Sequence, residues 1–77
     1  MTTSQLRTLS LALKQLSDKV TKLKRELSEY RDYADKNFSD EDADGQKAIS
    51  DLGNAVADLA KCNVKIHQLR TQIAIKL

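Results

Sequence analysis

Leu6, Leu9, Leu13, Leu16, Val20, Leu23, Leu27, Tyr30 and Ala34 follow one another at steps of three and four residues in strict alternation. On a helix of about 3.6 residues per turn that spacing keeps every one of them on a single stripe. Such a stripe is the seam of a coiled coil, and a strand cannot use it, because strand side chains alternate with a period of about two. Asn37 would come next and breaks the series. The pattern therefore predicts a helix over about residues 4–36, roughly 50 Å long.

The second half repeats the design with different sizes. Ala48, Leu52, Ala55, Leu59, Cys62, Ile66, Leu69 and Ile73 continue a four-three alternation, and Ile49, Val56 and Leu77 widen the stripe on one flank. Small side chains alternate here with large ones, which lets two helix axes approach and large side chains interdigitate. A stripe wider than two columns predicts contact with more than one neighbouring helix, as in a bundle. Gly53 and Asn54 are poor helix formers inside this segment. They fall off the main stripe, so the helix is expected to continue through them.

Between the halves, "NFSDED" reads as a stop followed by a start. Ser39 is the expected N-cap, with Asp42 three residues later approximating a capping box. Asp40, Glu41 and Asp42 then fall in the first turn, where the helix dipole favours negative charge. Phe38 is placed to pack on Ala43 as a weak staple. The expected architecture is all-α: one antiparallel coiled-coil helical hairpin over residues 1–77, with helix 1 at about 4–36, a turn at about 37–39 and helix 2 at about 40–76. A chain of 77 residues with a single cysteine and no tryptophan is short of core and has no internal disulfide. Self-association, most simply as a dimeric four-helix bundle, is the expected remedy. Its seam would be Leu6, Leu9, Leu13, Leu16, Val20, Leu23, Leu27 and Tyr30 with Leu52, Val56, Leu59, Cys62, Ile66, Leu69 and Ile73.

The acidic midpoint invites a second interpretation. "DEDADGQKAISD", Asp40 to Asp51, resembles an EF-hand calcium loop, which takes oxygen ligands at alternate positions, a glycine at the sixth and a long carboxylate at the twelfth. The resemblance implies Asp40, Asp42, Asp44 and Asp51 as ligands. Lys47 stands where such loops carry an apolar residue, Ala48 where they carry an oxygen ligand, and Asp51 where the longer glutamate belongs. A solvated helix start accounts for the same residues with less.

Charge is segregated along the chain. Lys14, Lys19, Lys22, Lys24 and Arg25 face only Asp18, whereas eight acids between Glu26 and Asp44 face only Arg31 and Lys36. From Gly45 onward, five bases face Asp51 and Asp58. A hairpin would have an acidic tip and a basic open end, and two hairpins packed antiparallel would lay each tip near the other's basic body. The alternative is nucleic acid, with Lys14, Lys22, Lys24, Arg25, Lys61 and Lys65 meeting phosphate. Against it, the aromatics lie at the acidic end and the pI is only about 8.8. In its short length, acidic turn and layered small/large seam with a cysteine in the second helix, the chain is similar to Rop. That plasmid RNA-binding regulator is a helical hairpin that dimerises into a four-helix bundle. The likeness is one of architecture, implies a nucleic-acid-binding regulator, and carries over no functional residue.

Enzymatic chemistry finds little support. His67 falls on an exposed face, and Cys62 lies in the stripe, where a thiol acts as a small hydrophobe. One His and one Cys do not make a zinc site, there is no phosphate-binding glycine loop, and no cofactor is implied. Neither a signal sequence nor a membrane-length apolar run is present, and the lone thiol fits a reducing compartment, so the setting expected is cytoplasmic without membrane contact. Leu11 and Ile75 lie off the stripes. Together with Leu77 they would make the open end unusually apolar and are the candidates for docking another protein. The expected function is a small non-enzymatic interaction module, a regulator, inhibitor or adaptor of phage or plasmid type, antirepressor-like in action. Its expected partners are further copies of itself and another protein.

Overall fold

Two helices account for nearly the whole chain, α1 over Thr3–Asn37 and α2 over Ala43–Lys76, and there is no strand. This computed structural model describes all 77 residues and measures 57 × 14 × 13 Å, a rod about as long as one of its helices. The architecture fits a helical hairpin with coiled-coil packing.

α1 begins on a reciprocal capping box. The Gln5 N–H donates to Thr2 Oγ1 at 3.2 Å, while the Thr2 N–H donates to Gln5 Oε1 at 2.9 Å. Two otherwise unpaired donors are thus satisfied, which moves the start ahead of the expected Ser4. At the other end Asn37 Nδ2 donates to the Tyr33 carbonyl at 2.7 Å, offering that carbonyl a side-chain partner as the helix stops. Phe38 is extended (φ −101°, ψ 135°), and its N–H closes the last turn on the Ala34 carbonyl at 2.9 Å.

The connection spans residues 38–42, longer than the expected 37–39, and the N-cap of α2 is Asp42 rather than Ser39. Its Oδ1 accepts from the Gly45 N–H at 3.0 Å. With α1 running to Asn37, a helix capped at Ser39 would leave Phe38 alone to reverse the chain, whereas such reversals need about two to five residues. Ser39 instead supplies a carbonyl, which accepts from the Asp42 N–H at 3.1 Å and from Gln46 Nε2 at 3.0 Å. Phe38 packs on Gly45: a Cβ built there would lie 2.6 Å from Phe38 Cγ. α2 then runs through Gly53 and Asn54 without interruption. Arg31 lies beside this point, its Cζ 3.5 Å from where a Gly53 Cβ would stand.

The cross-helix contacts run in reverse order along the two helices. Phe38 meets Gly45, Arg31 meets Gly53, and Asn63 bonds to both Ser17 and Thr21. Ser17 Oγ donates to Asn63 Oδ1 at 3.0 Å, and Asn63 Nδ2 donates to Thr21 Oγ1 at 3.0 Å. A polar residue at a seam position stabilises one alignment at some cost in apolar contact.

Solvent exposure shows which column of the sequence stripe each helix turns inward. On α1 the shielded residues centre on Leu6, Ser10, Leu13, Ser17, Val20, Lys24, Leu27 and Ala34, with Glu26 and Ser28 partly shielded beside them. On α2 they centre on Gly45, Ile49, Leu52, Val56, Leu59, Asn63, Ile66, Arg70 and Ile73. Leu6, Leu13, Val20, Leu27 and Ala34 are shared with the expected stripe. Its other column on α1 (Leu9, Leu16, Leu23 and Tyr30) is exposed within the single chain, with serines and a lysine taking its place. On α2, Ile49 and Val56 are shielded with Asn63 and Arg70 in line, while Cys62 and Leu69 are exposed. Side-chain size supplies the reason. The alignment set by Asn63 brings Ser17 level with Ile66, Ser10 with Ile73 and Ala34 with Ile49. These three layers set a small side chain against a large one, whereas turning the leucines inward there would set large against large.

Candidate interaction surface

Burial between the two helices is thin. Only Val20, Ala34, Ile66 and Ile73 form a buried apolar core, and no side chain is fully enclosed. The chain exposes 5996 Å². A compact protein of its mass, 8.6 kDa, exposes about 4,700 Å², so this rod carries roughly 1,300 Å² more.

Some of the exposed side chains are apolar and periodic. Leu9, Leu16, Leu23 and Tyr30 recur every seven residues along α1 and are 38%, 47%, 46% and 58% exposed. The matching column on α2 is Ala48, Ala55, Cys62 and Leu69, of which the alanines are half-shielded and the last two exposed. Cys62 therefore departs from the expected core position: its thiol is free and exposed. Of the residues expected at the seam, Leu6, Leu13, Val20, Leu27, Leu52, Val56, Leu59, Ile66 and Ile73 are brought together between the helices. Leu9, Leu16, Leu23, Tyr30, Cys62 and Leu69 are exposed on the single chain. The shielded Ser10, Ser17, Asn63 and Arg70 were not expected there. Their signal was the flank of Ile49 and Val56, which continues at seven-residue spacing into Asn63 and Arg70. Arg70 Nε is buried without a hydrogen-bond partner, its guanidinium held in the seam by its position and not by an acceptor.

The electrostatic division follows the rod. Residues 26–58, the half around the connection, hold ten acids and three bases. Residues 1–25 with 59–77, the half with both termini, hold ten bases and one acid, Asp18. Lys14, Lys22, Arg25, Lys61 and Lys65 are exposed in that basic half, while Lys24 is partly withdrawn at a seam position. Exposed charges of this kind act as a field over a face more than as individual pairs. At the same end Leu11, Ile75 and Leu77 are 58%, 80% and 53% exposed, and none belongs to the seven-residue column of leucines.

The acids of the tip do not converge. No group of three or more Asp, Glu, His or Cys side chains is placed to hold a metal ion. Asp42 is engaged as the N-cap, and Asp44 and Asp51 lie within α2, so Asp40–Asp51 does not wrap a central point as a calcium loop must. Gly45 lacks the positive φ of a sharp loop turn. His67 is exposed, as expected, and no pocket opens on the rod. Neither helix is long and apolar enough to cross a membrane. Comparison with family models, with curated proteins and with solved structures finds no match to this chain.

Proposed function

We propose that this chain is a small interaction module: an antiparallel coiled-coil hairpin that self-associates, most simply into a dimeric four-helix bundle. It acts on another protein as a regulator, inhibitor or adaptor, without chemistry of its own. The observation that carries this is the exposed seven-residue column Leu9, Leu16, Leu23 and Tyr30. A helix surface with coiled-coil spacing and nothing on it is built to meet another helix. The reversed order of the cross-helix contacts supports the antiparallel pairing. Once copies associate, the apolar end marked by Leu11, Ile75 and Leu77 remains outside the bundle and is the surface offered to the other protein.

The test is retention of a stoichiometric protein by the tagged chain through purification, compared with Leu11→Asp and Ile75→Asp. Loss of that protein with both variants, while helicity is unchanged, supports the proposal. No co-purifying protein at any salt, or one indifferent to both substitutions, refutes it. A second reading rests on the ten bases of the terminal half, which fit phosphate. A gel shift at low salt, abolished by charge reversal of Lys22, Lys24 and Arg25, is its expected result; absence of any shift removes it.

A further inference from the structure

We infer that a second copy of this chain covers the outward leucine column, lying tip to base across a two-fold axis that passes the rod near Leu23 and Cys62. This deepens the self-association just proposed and rests on the antiparallel reading of the hairpin.

The first step is geometric. Leu9, Leu16 and Leu23 each stand one residue before a seam position of α1 (Ser10, Ser17 and Lys24), and Cys62 and Leu69 stand one residue before Asn63 and Arg70. In a helix pair running in opposite directions, positions with the same offset from the seam flank the same edge of it. The large column of α1 and the small column of α2 therefore make one continuous face rather than two separate stripes.

Charge selects both the occupant and its direction. With ten acids against three bases in one half and ten bases against one acid in the other, two copies aligned tip to tip would stack like on like along their whole length. Reversal places each acidic half on a basic one, and the only protein sure to carry the complementary pattern at this spacing is the chain itself. The margin of the face agrees in detail. Lys19 and Glu26 follow Leu16 and Leu23 by three residues, and Asp58 and Lys65 follow Ala55 and Cys62 by three. A two-fold axis near Leu23 and Cys62 brings Lys19 level with Glu26 of the second copy, and Asp58 level with its Lys65. The same axis sets Leu16 against the second copy's Tyr30, and Ala55 against its Leu69. Around it Cys62 meets Cys62, where small side chains permit close approach of the two α2 helices. These five correspondences agree on the position of the axis to within about two residues along the rod.

The experiment uses the full chain. Sedimentation equilibrium at micromolar concentration is expected to show a dimer that added salt weakens, because the opposed charges are exposed. Mild oxidation is expected to join the copies through Cys62, giving a covalent dimer that Cys62→Ser abolishes. Lys19→Glu is expected to weaken dimerisation roughly tenfold, since symmetry places the altered residue in two pairs at the margin of the face. Adding Glu26→Lys to it should restore most of that loss. Leu23→Lys should give a monomer, and circular dichroism reports whether the hairpin survives; the charge-reversal pair decides the matter if it does not. A monomer of the unaltered chain at every concentration overturns the inference. So does a dimer that salt strengthens, that Cys62 cannot link, or that the restoring pair does not rescue. A monomer that still captures another protein through Leu11 and Ile75 would sink this inference and leave the interaction module standing.

Discussion

Replacing Gly45 and Gly53 separately by alanine should move stability in opposite directions, although both lie inside α2 and neither has positive φ. In an exposed helix interior the exchange gains about 0.5–1 kcal/mol, because alanine loses less backbone freedom on folding. Gly53 should show that gain. Its new methyl would meet the nearest atoms, Cζ and Nε of Arg31, at 3.5 Å, an ordinary contact with a flexible side chain. At Gly45 the methyl would stand 2.6 Å from Phe38 Cγ and 2.7 Å from its Cβ. Carbon atoms rest at about 3.5–4.0 Å, so the overlap is close to 1 Å. A Cβ cannot swing away as a side-chain tip does, so the connection itself must shift. Forced overpacking of this kind costs about 1–3 kcal/mol and outweighs the propensity gain. The net loss for Gly45→Ala is about 1–2 kcal/mol. For a domain of this size each kcal/mol moves Tm by roughly 4–8 °C. Thermal melts followed by far-ultraviolet circular dichroism, at one fixed protein concentration, should show Gly45→Ala below the parent and Gly53→Ala above it. The cause is isolated by Phe38→Ala: in that background Gly45→Ala should turn neutral or stabilising, a coupling that the double-mutant cycle measures directly. A higher Tm for Gly45→Ala in the otherwise unaltered chain would refute the close-approach argument.

The other expectations are simpler. Asp42→Ala removes the N-cap acceptor of the Gly45 N–H and should cost about 1 kcal/mol in urea unfolding, while Asp42→Asn should be nearly neutral. Asn63→Ala breaks the bonds to Ser17 and Thr21 and should cost about 1 kcal/mol, with greater spread in cross-linking between the helices as the alignment loosens. Ile66→Ala, at a residue 5% exposed, should lower stability by about 2–3 kcal/mol and be worse than any single truncation in the outward column measured on the monomer.

The sequence by itself determined the helices, because periodicity is local. The alternation from Leu6 to Ala34 and from Ala48 to Ile73 marks two stripes without reference to any partner. Charge segregation was equally legible, since it needs only the order of residues and one reversal of the chain. Even the start of α1 was written in "TTSQ", where a threonine precedes a glutamine by three. What tertiary structure decided was rotation. The three-column stripe of α2 does not say which two columns face the neighbouring helix, and on α1 a turn about the helix axis exchanges the expected leucines for serines at the seam. That choice follows from fit in three dimensions: Phe38 over Gly45, Arg31 beside Gly53, Asn63 between Ser17 and Thr21. It also chose Asp42 over Ser39 as the cap, because the chain needed room to reverse after Phe38. The leucines that the seam left outside became the surface on which the proposed function rests.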